Sequence, residues 1–266
     1  MKNPIYDIIG REYDVTRKAD PEIARRIYNH LQISNNDLIL DVACGTGNYA
    51  ISLLEMGIRV IGTDISKEMI DKAASKTDRI QWVQANAEAL PFEGHTFYGA
   101  TCILAIHHFH DLLQSFCEVF RVLKDGTRFV IFTSTPDQMK NYWLNEYFPK
   151  MMERSMLQMP DTSTVTRAIK ESGFQILGYE TFMIQPNVSD FFLYSGKYRP
   201  EIYLRPEVRA GISSFAALSD DDEINEGMNR LESDISSGRF RAKAMNYISD
   251  SGDYLFVVAE KSESFG

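Results

Sequence analysis

The chain has 266 residues, 44% of them hydrophobic, 24% charged and 12% aromatic, which excludes disordered, collagen-like and disulfide-stapled proteins. Its length suits one large domain, or one domain carrying a sizeable insertion. With 28 Lys+Arg against 37 Asp+Glu the net charge is −9, so nucleic acid is not an expected partner.

The opening Met1-Lys2-Asn3-Pro4-Ile5-Tyr6-Asp7 lacks the apolar stretch of a signal peptide, and apolar runs elsewhere fall far short of the roughly 20 residues that cross a bilayer. Cys44, Cys102 and Cys117 form neither a zinc pattern nor a disulfide framework. A cytoplasmic protein without a metal or membrane role is expected.

After a helix over 21–31, short apolar runs alternate with helical patterns of about a dozen residues, the signature of βαβ units. Strands are predicted over 38–42, 59–63, 80–84, 98–104 and 127–133, with helices over 49–56, 67–76 and 112–123 between them. Ser66 caps the second of these helices, Asp111 with Gln114 forms a capping box for the third, and Gly57 follows the first. Beyond Thr133 the pattern changes to one long aromatic and Met-rich helix over 136–159, a helix over 163–171, and strands over 175–184 and 254–260. The stretch between those last two strands is too long for a loop in a compact sheet, and carries helical patterns near 205–218 and 221–235. It reads as a helical insertion over the carboxyl ends of the strands, where open α/β sheets bind ligands.

The strongest signal is Asp41-Val42-Ala43-Cys44-Gly45-Thr46-Gly47-Asn48-Tyr49-Ala50, between a predicted strand and a predicted helix. Gly45-x-Gly47-x-x-Ala50 satisfies a nucleotide-binding fingerprint, in which glycines let a ligand lie against backbone N–H groups. Asp64, at the end of the next strand, stands where a ribose-binding carboxylate belongs. Asp41 selects among nucleoside ligands. A carboxylate there repels the pyrophosphate of NAD and attracts the ammonium and sulfonium of S-adenosylmethionine.

These residues resemble the class I S-adenosylmethionine-dependent methyltransferases, in their small-molecule (type 11) branch. The resemblance runs from about Tyr13 to Thr133 and includes Gly62-Thr63-Asp64-Ile65-Ser66, Asn86-Ala87-Glu88-Ala89-Leu90-Pro91-Phe92, His107-His108-Phe109-His110-Asp111 and Val122-Leu123-Lys124-Asp125-Gly126. It implies an α/β, Rossmann-like, doubly wound and mostly parallel seven-stranded sheet, with S-adenosyl-L-methionine as cofactor and S-adenosyl-L-homocysteine as product. On that reading the cofactor domain comprises 1–135, 160–186 and 252–266, and a helical cover over 136–159 and 187–251 binds the substrate. Asp64 would hold the ribose hydroxyls, Ile65 and Met69 would flank the adenine, and Asn86 with Ala87 would read its edge. Asp41, Ala43, Gly45, Gly47 and Leu104 complete the expected cofactor contacts, with Tyr13 and Arg17 as a lid. Asn86 departs from the family, which usually has Asp there; a neutral amide accepts a weaker hydrogen bond.

Catalysis of methyl transfer is mostly positioning, with a base needed only where the acceptor carries a proton. His107 and His108 follow the fourth strand and are candidate bases, although simple packing explains them too. Tyr142, Trp143 and Tyr147 offer an aromatic face for a substrate, or a core face. Arg199 and Arg209, in a basic segment with Lys197 and Arg205, suit an anionic substrate group, or else salt bridges on a solvated surface. The expected function is methylation of a small molecule on O, N or S by in-line displacement, by a monomer or homodimer. The alternatives are an NAD-dependent oxidoreductase, which Asp41 disfavours, a non-catalytic nucleoside-binding module, and an RNA or protein methyltransferase.

Overall fold

The computed structural model describes residues 16–262. Helix α1 (Pro21–Leu31) opens the described chain, and its Asp20 cap accepts from the Glu22 and Ile23 N–H groups. Ile23, Ala24, Ile27 and Leu31 make its buried face, which packs on the sheet. The βα units follow as β1 (Leu38–Val42), α2 (Asn48–Glu55), β2 (Arg59–Asp64), α3 (Lys67–Lys76), β3 (Gln81–Gln84), β4 (Phe97–Ile103), α4 (Leu112–Val122) and β5 (Leu123–Thr133). Predicted and observed bounds agree to within a residue or two except at β5, which starts directly after α4 and pairs Leu123 with Phe97 across a bulge.

The seven-stranded sheet has the order β3-β2-β1-β4-β5-β7-β6, where β6 is Gln175–Phe182 and β7 is Tyr254–Glu260. Strands β1 to β5 are parallel, and β7 runs antiparallel to both of its neighbours. Alternation of side chains divides the core into two layers. Ile39, Val130, Phe132 and Phe256 face α1, while Leu40, Ile131 and Val257 face α4 and α8 (Thr162–Glu171).

Two local expectations are corrected. Asp111 accepts from the Gln114 N–H at 2.9 Å, but the Gln114 amide donates to the Glu88 carbonyl, so only half of a capping box forms. The single long helix over 136–159 is broken into α5 (Pro136–Met139), α6 (Leu144–Tyr147) and α7 (Pro149–Gln158). Pro149 lacks an N–H and forbids helical geometry at Phe148, whose backbone sits at φ −134°, ψ 58°.

The cover also contains α9 (Pro206–Ala210), a wide π-helical turn over Ser214–Leu218, α10 (Asp221–Ser236) and α11 (Phe240–Ala244). The helix expected near 205–218 is thus interrupted, at Gly211, where a Cβ would strike the Thr16 hydroxyl. Phe192, Tyr194, Tyr203, Phe215 and Leu231 of the cover join the same core cluster as α1 and one sheet face. Among the described residues no helix is long and apolar enough to cross a membrane.

Candidate active site

Strands β1 to β5 end along one edge, and that edge floors two neighbouring cavities. The larger, about 410 Å³, is bordered by Asp41 and the Ala43–Thr46 turn after β1, Asp64 and Ile65 after β2, Asn86 and Ala87 after β3, and Leu104 after β4. Met69 and Arg17 also border it. Tyr13 lies outside the described residues. The smaller cavity, about 70 Å³, lies between the ends of β4 and β5 and the cover, and shares Arg17 and Leu104 with its neighbour.

The glycine turn is shaped by backbone requirements. Ala43 and Gly45 both have φ +55° and Gly47 has φ +77°, all left-handed. At Gly45 a Cβ would point into open space, so its missing side chain leaves room for a ligand. Gly47, expected to contact the cofactor, does not border the cavity; a Cβ there would run into the Trp82 ring. Close packing of β3 against the turn therefore explains the second glycine. The Asp64 carboxylate fastens this turn, accepting from the Gly45 N–H and the Ser66 N–H, each at 2.9 Å.

Asp41 is buried at the tip of β1, and the Thr101 hydroxyl donates to its Oδ1 at 2.8 Å. Burial pushes its carboxyl up from 3.8 to about 7, against the Thr101 hydrogen bond and with help from the charge of Asp64. Among the described residues it makes no ion pair. A carboxyl in this position gains most from a bound cation.

A residue that carries no sequence signal completes the wall. Asp190 of the cover is buried, receives Arg17 Nε at 2.6 Å and Nη2 at 3.3 Å, and accepts from the Tyr49 hydroxyl at 3.1 Å. Asp190, Arg17 and Tyr49 all border the large cavity. Leu104, where the cavities meet, sits at φ +53°, a conformation that costs a branched side chain energy and is commonly held at functional positions.

The two histidines face different spaces. His108 borders the large cavity and His107 the small one, with ring centroids 3.9 Å apart. Desolvation lowers His108 to about 4 and holds His107 well below the ordinary imidazole value, with His108 contributing, so both imidazoles are neutral at physiological pH. Nδ1 of His107 is buried without a partner among the described residues. His110, which reads as solvent-facing in sequence, also borders the large cavity.

Five expected substrate residues border neither cavity. Tyr142 stacks on Tyr194 at 3.9 Å, Trp143 Nε1 donates to the Lys197 carbonyl, and the Tyr147 hydroxyl donates to Asp234. These rings are core, each at most 1% exposed and held by partners from residues 194–234. Arg199 donates to the Val188 carbonyl and Arg209 to the Tyr203 carbonyl. Lys197 pairs with Asp253 and Arg205 with Glu207. Arg199 and Arg209 thus bond backbone within the cover, Lys197 ties it to the start of β7, and Arg205 makes a local surface pair.

Known proteins agree with this architecture. The methyltransferase domain family matches residues 40–131. A demethylmenaquinone methyltransferase of Chlorobaculum tepidum is 30% identical over 176 residues, 59% of this chain and 73% of the relative. A solved protein described as a methyltransferase from an antibiotic biosynthesis pathway of Anabaena variabilis is 30% identical, with a TM-score of 0.82 over 91% of this chain and 98% of that one. The geranyl diphosphate C-methyltransferase of Streptomyces coelicolor, solved with S-adenosyl-L-homocysteine, shares the fold at 16% identity and a TM-score of 0.56, over 90% of this chain and 78% of that one. The chain belongs to the class I S-adenosylmethionine-dependent methyltransferases, and is an enzyme of that class.

Proposed function

We propose that the large cavity binds S-adenosylmethionine and that its methyl group passes to a small molecule held in the adjoining cavity. The observation that carries the cofactor assignment is Asp41, a buried carboxyl without an ion pair among the described residues, beside a turn open to a ligand. When bound, the cofactor supplies an electrophilic methyl group on a cationic sulfur.

This chain's residues then position and exclude. Asp64 presents a carboxylate at the end of β2 suited to ribose hydroxyls, while Ile65 and Met69 offer apolar contact to a base and Asn86 a polar edge. The cover and Leu104 border the junction of the two spaces, where displacement of water by a bound acceptor would favour direct transfer over hydrolysis. His107 can accept a proton from an acceptor. Its burial disfavours charging beforehand, but the site's total charge is unchanged when a positive charge leaves sulfur as another forms on the ring.

The small cavity and the name of the Chlorobaculum relative both support a small-molecule acceptor. Incubation with methyl-labelled S-adenosylmethionine and a metabolite extract tests it by mass spectrometry. Label should appear in a small molecule; label only in added RNA or protein would contradict the proposal.

A further inference from the structure

The lining of the smaller cavity narrows the class of acceptor. Its walls bring Ser134 from the end of β5, Gln158 from α7, and Ser213 with Ser214 from the start of the π-helical turn. The side chains of Gln158, Ser213 and Ser214 make no hydrogen bond among the described residues. Ser214 is only 7% exposed, and its hydroxyl is spent on no protein partner among the described residues. Wide turns of this kind recur at functional sites, and this one brings two adjacent serines to the border of one space.

Charge is the second constraint. Among the described residues no Asp or Glu borders this cavity, so an ammonium group would find no counter-ion among them. Arg17 borders it, but its guanidinium is engaged by Asp190, and the four basic residues of 197–209 are committed elsewhere. A carboxylate or phosphate would therefore be desolvated without full compensation. Met139, Met159, Phe192 and Tyr254 supply apolar walls, the last two rings meeting edge to face at 4.8 Å. By the volume of a confined water, about 70 Å³ holds on the order of five waters, or one compact ring.

We propose that the acceptor is an uncharged, compact ring compound whose hydroxyl or carbonyl oxygens are held by Gln158, Ser213 and Ser214. Rings with a carboxylate, phosphate or ammonium on the part entering the cavity are excluded. The inference rests on the smaller cavity being the acceptor site of the proposed methyltransferase.

The test uses the full chain saturated with S-adenosyl-L-homocysteine and three probes of one ring size, namely resorcinol, benzoate and benzylamine, titrated by ligand-observed NMR. Resorcinol should bind at least about fivefold more tightly than the other two. In the Ser213→Ala/Ser214→Ala variant its affinity should fall by about tenfold, while affinity for S-adenosyl-L-homocysteine stays unchanged. Gln158→Leu should weaken resorcinol alone in the same way, which guards against a folding defect in the double variant. Tighter binding of benzoate or benzylamine, no binding by any probe, or insensitivity of resorcinol to all these changes would overturn the inference. Failure of S-adenosyl-L-homocysteine to bind the unaltered chain would instead overturn the cofactor reading.

Discussion

Arg17 and Asp190 meet side by side, Nε on Oδ1 at 2.6 Å and Nη2 on Oδ2 at 3.3 Å, across 173 positions of sequence. The first lies before α1 and the second in the cover, so the wall of the larger cavity is built jointly by both parts of the chain. Their side chains are 13% and 2% exposed, which places the pair among buried ion pairs.

Removing one partner of such a pair leaves the other charge desolvated, at a cost of about 3 to 5 kcal/mol. Asp190→Asn should accordingly lower the urea midpoint clearly and weaken S-adenosylmethionine binding by about tenfold. The double change Arg17→Met/Asp190→Leu should recover much of the stability without recovering the binding. An unchanged midpoint in the single variant would show that solvent screens the pair.

The two glycines of the turn should separate binding from folding. Gly45→Ala has room for its methyl but places it in the large cavity at φ +55°, costing about 1 kcal/mol of stability and most of the cofactor affinity. Gly47→Ala drives a methyl into the Trp82 ring at φ +77°, so stability should fall by more, about 2 to 4 kcal/mol. Thermal melts and cofactor titrations of both variants check this; equal stability losses would contradict the packing role of Trp82.

Why one glycine and not the other was legible in sequence follows from the same geometry. A fingerprint records which positions must lack a side chain, not whether a ligand or a neighbouring ring fills the space, and Trp82 is 35 positions beyond Gly47. The parallel sheet, α1 and α3 were readable because alternating apolar runs and caps are local. Asp41, Asp64 and Asn86 were readable as cavity residues because a parallel strand always ends at the same edge. The cover was not. Its aromatic residues at 142–147 pattern like an open helix face, and distant partners such as Tyr194 and Asp234 bury them in the core. Likewise, Lys197, Arg199, Arg205 and Arg209 read as a basic patch because their partners, such as Asp253 and the Val188 carbonyl, are brought near by tertiary folding. Asp190 stands in no motif at all, and a lone acidic residue ahead of the aromatic run 191–194 was the sole hint.

Asp41 makes cofactor binding depend on pH in a defined direction. Its carboxyl, raised from 3.8 to about 7, holds a proton in the folded chain that the unfolded chain has released. The stability from this group is present in acid and is lost as pH rises through about 7. A cation prefers the ionised carboxyl, so S-adenosylmethionine affinity should rise up to about tenfold per unit as pH climbs towards 7, then level off. Asp41→Asn should flatten this profile and weaken binding at pH 8. Calorimetry in buffers of different ionisation enthalpy should also detect proton release on binding at pH 6 by the unaltered chain, and none by the variant.

Trp143, Nε1-bonded to Lys197 and 1% exposed, should behave as a core residue. Trp143→Ala is expected to cost about 3 to 5 kcal/mol of stability. Arg209→Ala, by contrast, should leave kcat and KM for an identified acceptor within about twofold. A large KM increase in the arginine variant with stability unchanged would restore the basic segment as a substrate site.

On this reading, the cavity beside Asp41 and Asp64 selects a cationic nucleoside ligand. Calorimetric titration of the unaltered chain at pH 8 with S-adenosylmethionine, S-adenosyl-L-homocysteine and NAD tests it most directly. Low-micromolar or tighter binding of the first two is expected, with NAD weaker by at least about a hundredfold because its pyrophosphate would meet two carboxylates. Comparable affinity for NAD, or no binding of S-adenosylmethionine, would contradict it.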